Sequence, residues 1–425
     1  MSNLNNMRLC SGSCQMVGAA AALLCIKDSV VIFNSPRWCA LTAERELCIA
    51  NKTFENRLYC TEARQDTLVF GIEEALRDTL SEVLNMHVPS LVSIITSCSM
   101  SLIGDDIKGI AKRFDASLEF ITMDAGGLTG GFARGFSKGL TQIASMVRGS
   151  STKKIDMSPK VNIIGLSTAY PHWEGDSYEL RRMLELIGIK VNIVLGIDML
   201  SLDQIDSIND ASLNIVIDKE FGLEAAKLLK ERQGMPYLVT SCPYGFKGSK
   251  EWLQLVATTM NLDIDMEMIN KEISRAETMI AEHCSWIQHN LPRYCMKQLV
   301  SSLPLDRFSP LIKAFYESGI NIFRFNEAYI KNNTGEYKNN DIKFVKWQDV
   351  SQIPHLLANE LRILLASDRE RILLSSYDKT IYINMDSPSQ RFHCVWTPLM
   401  GIKGWQTLIS SICEQIITLE YIRNM

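Results

Sequence analysis

Short apolar runs rich in β-branched residues alternate with amphipathic helical patterns along most of this chain, and this alternation limits the folds open to it. The runs predict strands at residues 29–33, 91–96, 118–123, 160–166, 190–195, 213–217, 237–241, 320–325, 371–376 and 380–385. The helical patterns between them include residues 71–86, 176–188, 222–234 and 311–319, and the last three end in Gly, as helices closed by a left-handed residue do. Such alternation is typical of an α/β fold with parallel sheets.

The order of these segments predicts three Rossmann-like domains, each with a parallel sheet flanked by helices. A polar, Ser- and Lys-rich stretch at residues 147–160 forms the clearest boundary, and a long helical region separates the second unit from the third. We therefore expect domains at residues 1–150, 160–268 and 290–425, with a solvated loop at 331–341. A chain of 425 residues, 46% of them hydrophobic, is long enough to build two or three cores.

Charge and hydropathy exclude several classes of protein. The net charge is −4, the isoelectric point is about 6.0, and no run of five like charges occurs, so the chain lacks the electrostatic footprint of a nucleic-acid-binding protein. The apolar stretch at residues 16–26 is about half of the roughly 20 residues that span a bilayer, and we expect it to be a core helix. The first residues lack the pattern of a secretory signal, so we expect a cytoplasmic protein with no membrane partner.

Twelve cysteines are unusual for such a chain, and in a cytosolic protein they indicate core residues, metal ligands or redox groups rather than disulfides. Three stand out by position, and two of these lie where ligands gather in open α/β sheets, outside the carboxyl ends of strands. Cys98 directly follows the predicted strand 91–96, and Cys39 follows the strand 29–33 through a turn. Cys14 precedes a helix of small residues, where the dipole and free amides favour a thiolate. For any one of them, a buried core side chain remains the simpler explanation.

The spacing of these cysteines indicates which metal group they would hold. Cys14, Cys39 and Cys98 are separated by 25 and 59 residues, and the chain has no Cys-x-x-Cys pair, so they match no zinc module. Three widely spaced thiolates suit an iron–sulfur cluster better than a mononuclear zinc ion. Cys10 is either a fourth ligand or not involved. A third alternative is a small-molecule-binding protein with buried cysteines and no cluster.

Other chemical motifs are absent from the sequence. It has no Gly-x-x-x-x-Gly-Lys-Ser/Thr loop for ATP, no Gly-x-Ser-x-Gly elbow and no His-Glu-x-x-His pair. The glycine-rich stretch at residues 123–139 follows a predicted strand but misses the Gly-x-Gly-x-x-Gly spacing. We expect it to form a tight loop whose backbone comes close to another group.

Taken together, the cysteines and their neighbours resemble the nitrogenase component 1 family. Around the cysteines, the matching motifs are Cys14 with Gly18-Ala19, "SPRWC" ending in Cys39, and "TSCSMSLIGDDI" around Cys98. Two further motifs match: "ITMDAGGLTGG" at residues 121–131 and the Val-Phe-Gly sequence that ends at Gly71. The resemblance continues more weakly to the closing segment "PLMGIKGWQTLISSICEQI". That family includes nitrogenase subunits, their cofactor-assembly paralogues and the subunits of tetrapyrrole reductases.

The resemblance implies a component 1-like fold and a function. Cys14, Cys39 and Cys98 would be the cofactor-binding and metal-ligating residues of an iron–sulfur cluster, of the [4Fe-4S] or a larger [8Fe-7S] type. The cluster would lie at the interface with a paralogous component 1 subunit, in a hetero-oligomer, or with a second copy. Electrons would come from a separate ATP-hydrolysing iron protein, which agrees with the missing phosphate loop.

Two departures from the family pattern modify this expectation. Trp38 replaces the glycine that precedes the second cysteine, which changes the loop or shields the cluster. Asp218 stands where the catalytic nitrogenase subunit has the cysteine that holds its active-site cofactor, which argues against an iron–molybdenum cofactor and a true dinitrogen reductase. We therefore expect an oxidoreductase subunit that relays low-potential electrons to a bound substrate. The alternative is a cofactor-assembly scaffold without turnover, and neither the substrate nor the catalytic residues can be named from the sequence.

Overall fold

The computed structural model describes residues 13–149, 159–291, 293–331, 343–347, 361–374, 379–386 and 397–424. The chain divides into two compact units. The first contains Met1–Gly149, Gly196–Ser207 and Glu220–Gln233, and the second contains Ser150–Leu195, Ile208–Lys219 and Gly234–Met425. The three domain limits expected from the sequence stay a prediction, and the expected loop at 331–341 lies almost entirely outside the described residues.

Helices and strands alternate along the chain. The helices are α1 (Gln15–Leu23), α2 (Arg37–Ala50), α3 (Thr67–Phe70), α4 (Glu73–Met86), α5 (Cys98–Ser101), α6 (Ile107–Phe114), α7 (Phe132–Met146), α8 (Trp173–Leu186), α9 (Lys219–Gln233), α10 (Gly245–Thr259), α11 (Glu267–Asn290), α12 (Leu305–Glu317), α13 (Asp368–Leu374) and α14 (Gly401–Asn424). The strands are β1 (Ser29–Asn34), β2 (Leu58–Cys60), β3 (Leu91–Thr96), β4 (Glu119–Asp124), β5 (Lys160–Ile164), β6 (Lys190–Leu195), β7 (Leu213–Val216), β8 (Tyr237–Val239), β9 (Met296–Ser301), β10 (Phe323–Lys331), β11 (Lys343–Trp347), β12 (Arg362–Ala366) and β13 (Thr380–Asn384). Short 3₁₀ segments lie at Lys52–Phe54, Gly127–Thr129 and Leu202–Asp210.

A parallel sheet with the order β2-β1-β3-β4 forms the centre of the first unit. Its central strands β1 and β3 are buried at every residue and pair in register from Ser29 opposite Leu91 to Asn34 opposite Thr96. Burial on both faces explains why these strands are continuous apolar runs rather than alternating ones. Helices α4 and α6 cover one face, with Leu76 and Leu80 packed into the core that β1 and β3 form.

Helices α1 and α7 approach each other closely because both carry glycine at the contact. A β-carbon on Gly135 would lie 1.8 Å from the carbonyl oxygen of Gln15, and one on Gly18 would lie 2.1 Å from that of Phe132. Every residue of α1 is buried, so a core helix is confirmed, but it ends at Leu23; Leu24, Cys25 and Ile26 are buried beyond its end. The contact fixes the start of α1 against the start of α7.

Helix α9 completes the core of the first unit, although β7 and β8 on either side of it belong to the second. The ring of Phe221 on α9 lies 5.9 Å from that of Phe132 and 5.1 Å from that of Phe136, both on α7. All three side chains are buried. The first unit therefore draws part of its apolar core from a segment that is remote in sequence.

The second unit holds two more parallel sheets, with the orders β6-β5-β7-β8 and β11-β10-β9-β12-β13. The expected α/β class with parallel sheets flanked by helices is confirmed. Gly188, Gly234 and Gly319, which follow α8, α9 and α12, have φ values of 77°, 70° and 65°, so the expected left-handed helix ends are also confirmed. Among the described residues, no helix has both the length and the apolar character needed to cross a membrane.

The strand predicted at residues 371–376 is wrong. Residues 371–374 belong to helix α13, and the neighbouring β12 supplies the strand instead. Ser367 directly precedes α13, and its hydroxyl donates to the carboxylate of Glu370, the third residue of that helix; Ser-x-x-Glu is a spacing typical of helix starts. This spacing indicates a helix where the apolar run alone favoured a strand.

Candidate functional site

Three helices of the first unit begin at a cysteine or within one turn of it. Cys14 is the N-cap of α1, Cys39 is the third residue of α2, and Cys98 is the first residue of α5. Helices α2 and α5 leave the carboxyl ends of β1 and β3, which are adjacent in the sheet. A backbone bridge joins Cys14 to Gly131 in the loop after β4, so Cys14 reaches the same edge. The sequence prediction that these cysteines gather at one sheet edge agrees with this geometry.

The loop after β4 comes close to two of the sulfurs. A β-carbon on Gly127 would lie 3.1 Å from Sγ of Cys14 and 3.9 Å from Sγ of Cys98, so the two sulfurs are within about 7 Å of each other, the sum of those distances. A β-carbon on Gly126 would lie 2.9 Å from Cα of Cys98. The glycine-rich stretch is therefore the tight loop that the sequence predicts, and the neighbours it approaches are the two cysteines.

Backbone hydrogen bonds hold this loop in place. The amide of Ala125 donates to the carbonyl of Thr96 at 3.0 Å, which extends the pairing of β4 with β3. The amide of Phe132 donates to the carbonyl of Ser13 at 2.9 Å, and the hydroxyl of Thr129 donates to the carbonyl of Gly126 at 2.9 Å. The cysteines and the glycines thus sit on connections fixed by the sheet and by the α1–α7 contact.

The protein around Cys14 and Cys39 opposes ionisation of their thiols. Removal of water by the surrounding chain raises the pKa of Cys14, and the negative charges of Cys98 and Glu46 add to that effect. The amides of Met16 and Gln15 lower the pKa of Cys14, as expected at a helix start, but their effect is outweighed. The pKa of Cys39 is likewise raised, first by desolvation and then by Cys14, Cys98 and Cys60. A bound cation would offset this repulsion.

Cys60 is a fourth thiol at this edge, and sequence reasoning missed it. It ends β2, and it pairs in register with Phe33 of β1. Its sulfur donates to the carbonyl of Ser35 at 3.3 Å and accepts from the amide of Glu62 at 3.3 Å. The three-residue strand β2 is too short for a periodic signal, so the sequence alone could not place Cys60 beside the others. Cys10, the expected optional ligand, lies outside the described residues.

Large apolar side chains surround the cysteines on the same loops. We call Trp38, Phe70, Leu102 and Leu128 the apolar rim; they are 80%, 87%, 82% and 81% exposed, respectively. Trp38 adjoins Cys39, Leu102 ends the helix that Cys98 begins, and Leu128 follows Gly127. Phe70 ends α3, and Gly71 after it packs on Asp105 beyond α5. Several large exposed apolar side chains in one region are typical of a surface that another chain covers.

Asp218, expected at the position of a cofactor-holding cysteine, is occupied in a buried ion pair. It lies just beyond the end of β7, and its carboxylate accepts from Nε of Arg307 at 2.7 Å. The guanidinium of Arg307 also lies over the ring of Tyr170, 4.3 Å from its centre. Arg307 thus neutralises Asp218 inside the second unit.

A single bound ion does not suit the cysteine edge. Across the described ranges, no three His, Cys, Asp or Glu side chains converge as a mononuclear site requires. A tetrahedral ion with bonds of about 2.3 Å needs sulfurs about 4 Å apart. A cluster binds each thiolate through a different iron and tolerates wider spacing.

Comparisons with known proteins identify the family and the fold. The sequence model of the "Nitrogenase component 1 type Oxidoreductase" family matches residues 14–298, a range that begins at Cys14. The structure of "Nitrogenase Cp1 at pH 6.5" superposes with a TM-score of 0.77 at 15% identity, over 98% of this chain and 94% of that one. That likeness confirms the expected component 1-like fold.

Curated relatives include reductases and an assembly protein. A light-independent protochlorophyllide reductase chain of Angiopteris evecta is 27% identical over 53% of this chain and 45% of its own length. The nitrogenase iron-iron protein beta chain of Rhodobacter capsulatus is 24% identical over 64% of this chain and 62% of its own. The nitrogenase iron-molybdenum cofactor biosynthesis protein NifE of Nostoc sp. is 25% identical over 67% and 57%.

The chain thus spans about half to three fifths of the length of these relatives, while the family match covers most of the chain from its first cysteine at the sheet edge. The chain belongs to the nitrogenase component 1-type oxidoreductase family.

Proposed function

We propose that this chain is an oxidoreductase subunit of the component 1 type, in which Cys14, Cys39 and Cys98 hold an iron–sulfur cluster. The observation that carries the proposal is the position of Gly127, where an added β-carbon would lie 3.1 Å from Sγ of Cys14 and 3.9 Å from Sγ of Cys98. Family membership supports the same group, since the relatives include nitrogenase and reductase subunits. A cluster of [4Fe-4S] or [8Fe-7S] type would supply one-electron transfer at low potential.

The residues present fit such a group. Thiolates are the ligands that iron–sulfur clusters use, and the three cysteines lie at helix starts, whose amides point toward negative charge. Gly126 and Gly127 keep the backbone against Cys98 and Cys14 without a side chain to fill the gap. In this proposal the chain's role is to fix the thiolates, to exclude part of the water, and to tune the potential through nearby amides.

The proposal includes partners and a location. The apolar rim around the cysteines is the surface that a paralogous component 1 subunit, or a second copy, would cover. A separate ATP-hydrolysing iron protein would deliver the electrons, and the assembly would be cytoplasmic. The substrate would bind elsewhere in the assembly, and its identity does not follow from these residues.

Removal of one thiol tests the proposal. We expect Cys98→Ala, purified without oxygen, to lose most of its iron and sulfide and the brown visible absorption, because the remaining thiols cannot retain the cluster. Cys48→Ala is the matched control. Cys48 lies on the same helix α2 as Cys39 but nine residues further along, about 13 Å from the helix start that meets the sheet edge. Unchanged iron and absorption in Cys98→Ala would refute the cluster.

A second candidate is a cofactor-assembly scaffold, favoured by the likeness to NifE. The two candidates differ in what happens to the cluster. Combined with its partner and an iron protein, an oxidoreductase turns over a substrate with ATP and reductant and keeps its iron. A scaffold turns over nothing and transfers its iron to an acceptor protein, which radiolabelled iron would follow.

A further inference from the structure

Two thiols of the second unit face each other away from the residues assigned above. Cys284 lies on α11 and Cys413 on the C-terminal helix α14, and their sulfurs are 4.0 Å apart. Both side chains are buried. Their chain positions are 129 residues apart, so their contact comes from the packing of the two helices.

The two thiols occupy matching places in apolar stripes. On α11, Ile280 and Ile287 flank Cys284 at helical spacing, and on α14 Ile409 and Ile416 flank Cys413 in the same way. Ordinary core packing would be satisfied by any small apolar side chain at either place. Here both places carry sulfur, and the sulfurs are the atoms in contact.

One of the two thiols is reachable from outside. Cys284 lines a cavity of about 410 Å³, together with the exposed Glu277 and the half-buried Gln288. Cys413 does not line it. The cavity gives a small reagent a route to Cys284, whose sulfur in turn contacts that of Cys413.

We propose that Cys284 and Cys413 form a dithiol modification site, which low-molecular-weight disulfides of the glutathione class convert to a disulfide that joins α11 to α14. The sulfurs need to move about 2 Å closer, since a disulfide bond is about 2.05 Å long. Side-chain rotation and a small shift between two helices can supply that distance. This inference does not depend on the cluster proposed for the first unit.

The exchange runs in two balanced steps. The Cys284 thiolate attacks one sulfur of the reagent, breaks its S–S bond and releases one thiolate, which takes a proton. The sulfur of Cys413 then attacks that of Cys284 in the mixed disulfide, and the second reagent thiol leaves with the proton of Cys413. The protein is oxidised by two electrons and the reagent is reduced to two thiols. The hydrogen bond from Cys413 lowers the pKa of Cys284, which favours Cys284 as the first nucleophile.

Peptide mapping of the full chain tests the site. The reduced protein is treated with oxidised glutathione, the remaining thiols are alkylated under denaturing conditions, and trypsin is added. Cleavage after Arg275, Arg293, Lys403 and Arg423 gives peptides 276–293 and 404–423, and each contains a single cysteine. We expect mass spectrometry to find these two peptides joined, two hydrogens lighter than the separate pair, and released again by a reductant.

Matched variants make the result specific. Cys413→Ala should abolish the joined peptide and leave Cys284 carrying glutathione. Cys295 is the next cysteine along the chain after Cys284, and Cys295→Ala should leave the yield of the joined peptide unchanged. The oxidised wild type should also unfold about 5 °C or more above the reduced protein, a shift that Cys413→Ala lacks. If glutathione stays attached to Cys284 in the wild type, or if both thiols remain open to alkylation, the site is only a packed core contact and the proposal is wrong.

Discussion

Gly127 shows how one residue decides whether the cysteine edge can hold a group. A β-carbon added there would lie 3.1 Å from Sγ of Cys14 and 3.9 Å from Sγ of Cys98, so a side chain would compete with the proposed cluster for space beside these sulfurs. The sequence indicated both the three cysteines and a close approach by the glycine loop. It could not pair particular glycines with particular sulfurs, because the loop and the cysteines meet only once the sheet has formed.

We predict that Gly127→Ala lowers iron retention severalfold while the fold persists. The added methyl would lie 3.1 Å from Sγ of Cys14, and it points toward the thiols rather than into the core. Iron and sulfide analysis, with circular dichroism as the measure of folding, would show the effect. Gly248→Ala is the control, because no atom lies within 4 Å of its added methyl. Full iron content in Gly127→Ala would mean that the cluster does not lie between Cys14 and Cys98.

At the scale of secondary structure, the same four residues adopt two conformations in this chain. Arg-Ile-Leu-Leu forms strand β12 at residues 362–365 and helix α13 at residues 371–374. The first copy is wholly buried between two neighbouring strands, whereas Ile372 of the second is exposed. Periodicity cannot separate such copies, since both are short apolar runs. The second copy follows the Ser367-x-x-Glu370 spacing of a helix start, whereas the first fills a place between two strands of the sheet. Of these two features, only the Ser-x-x-Glu spacing is visible in the sequence.

A buried carboxylate of helix α8 holds the segment that leads into α14. Oδ1 of Asp176 accepts from the amides of Leu399 and Met400, at 2.7 Å and 2.8 Å, and the side chain is buried. We predict that Asp176→Ala lowers the free energy of unfolding by about 2–4 kcal/mol, because two buried amides lose their acceptor. Asp176→Asn keeps an acceptor oxygen at that place, so it should lower the free energy of unfolding by less than half as much. Urea denaturation would measure both, and equal losses would show that charge, not the acceptor, matters.

At the scale of the whole molecule, the apolar rim predicts assembly. We expect Leu128→Glu with Phe70→Glu to prevent association with a second component 1 chain, or with a second copy, because charge would have to be buried at the contact. Sedimentation of the chain alone, and of the chain co-expressed with a component 1 chain from the same genome, would measure this.

Val88→Glu is the control for that experiment. Val88 is 98% exposed but lies before β3, at the end of the sheet opposite to Cys98. The Val88→Glu variant should leave association unchanged. An equal effect of the rim and control variants would place the contact elsewhere.

The path of helix α9 has a consequence for the order in which the chain is made. The core of the first unit includes Phe221, so this core stays incomplete on the ribosome until residues beyond Gly149 have emerged, including α9 up to Gln233. During that interval Phe132 and Phe136 lack their partner, although all three cysteines that the site needs have been synthesised. A nascent chain therefore contains Cys14, Cys39 and Cys98 before α7 has packed against α9. We expect insertion of the proposed cluster to follow synthesis of α9, and we expect a fragment that ends at Gly149 to expose apolar rings and to aggregate.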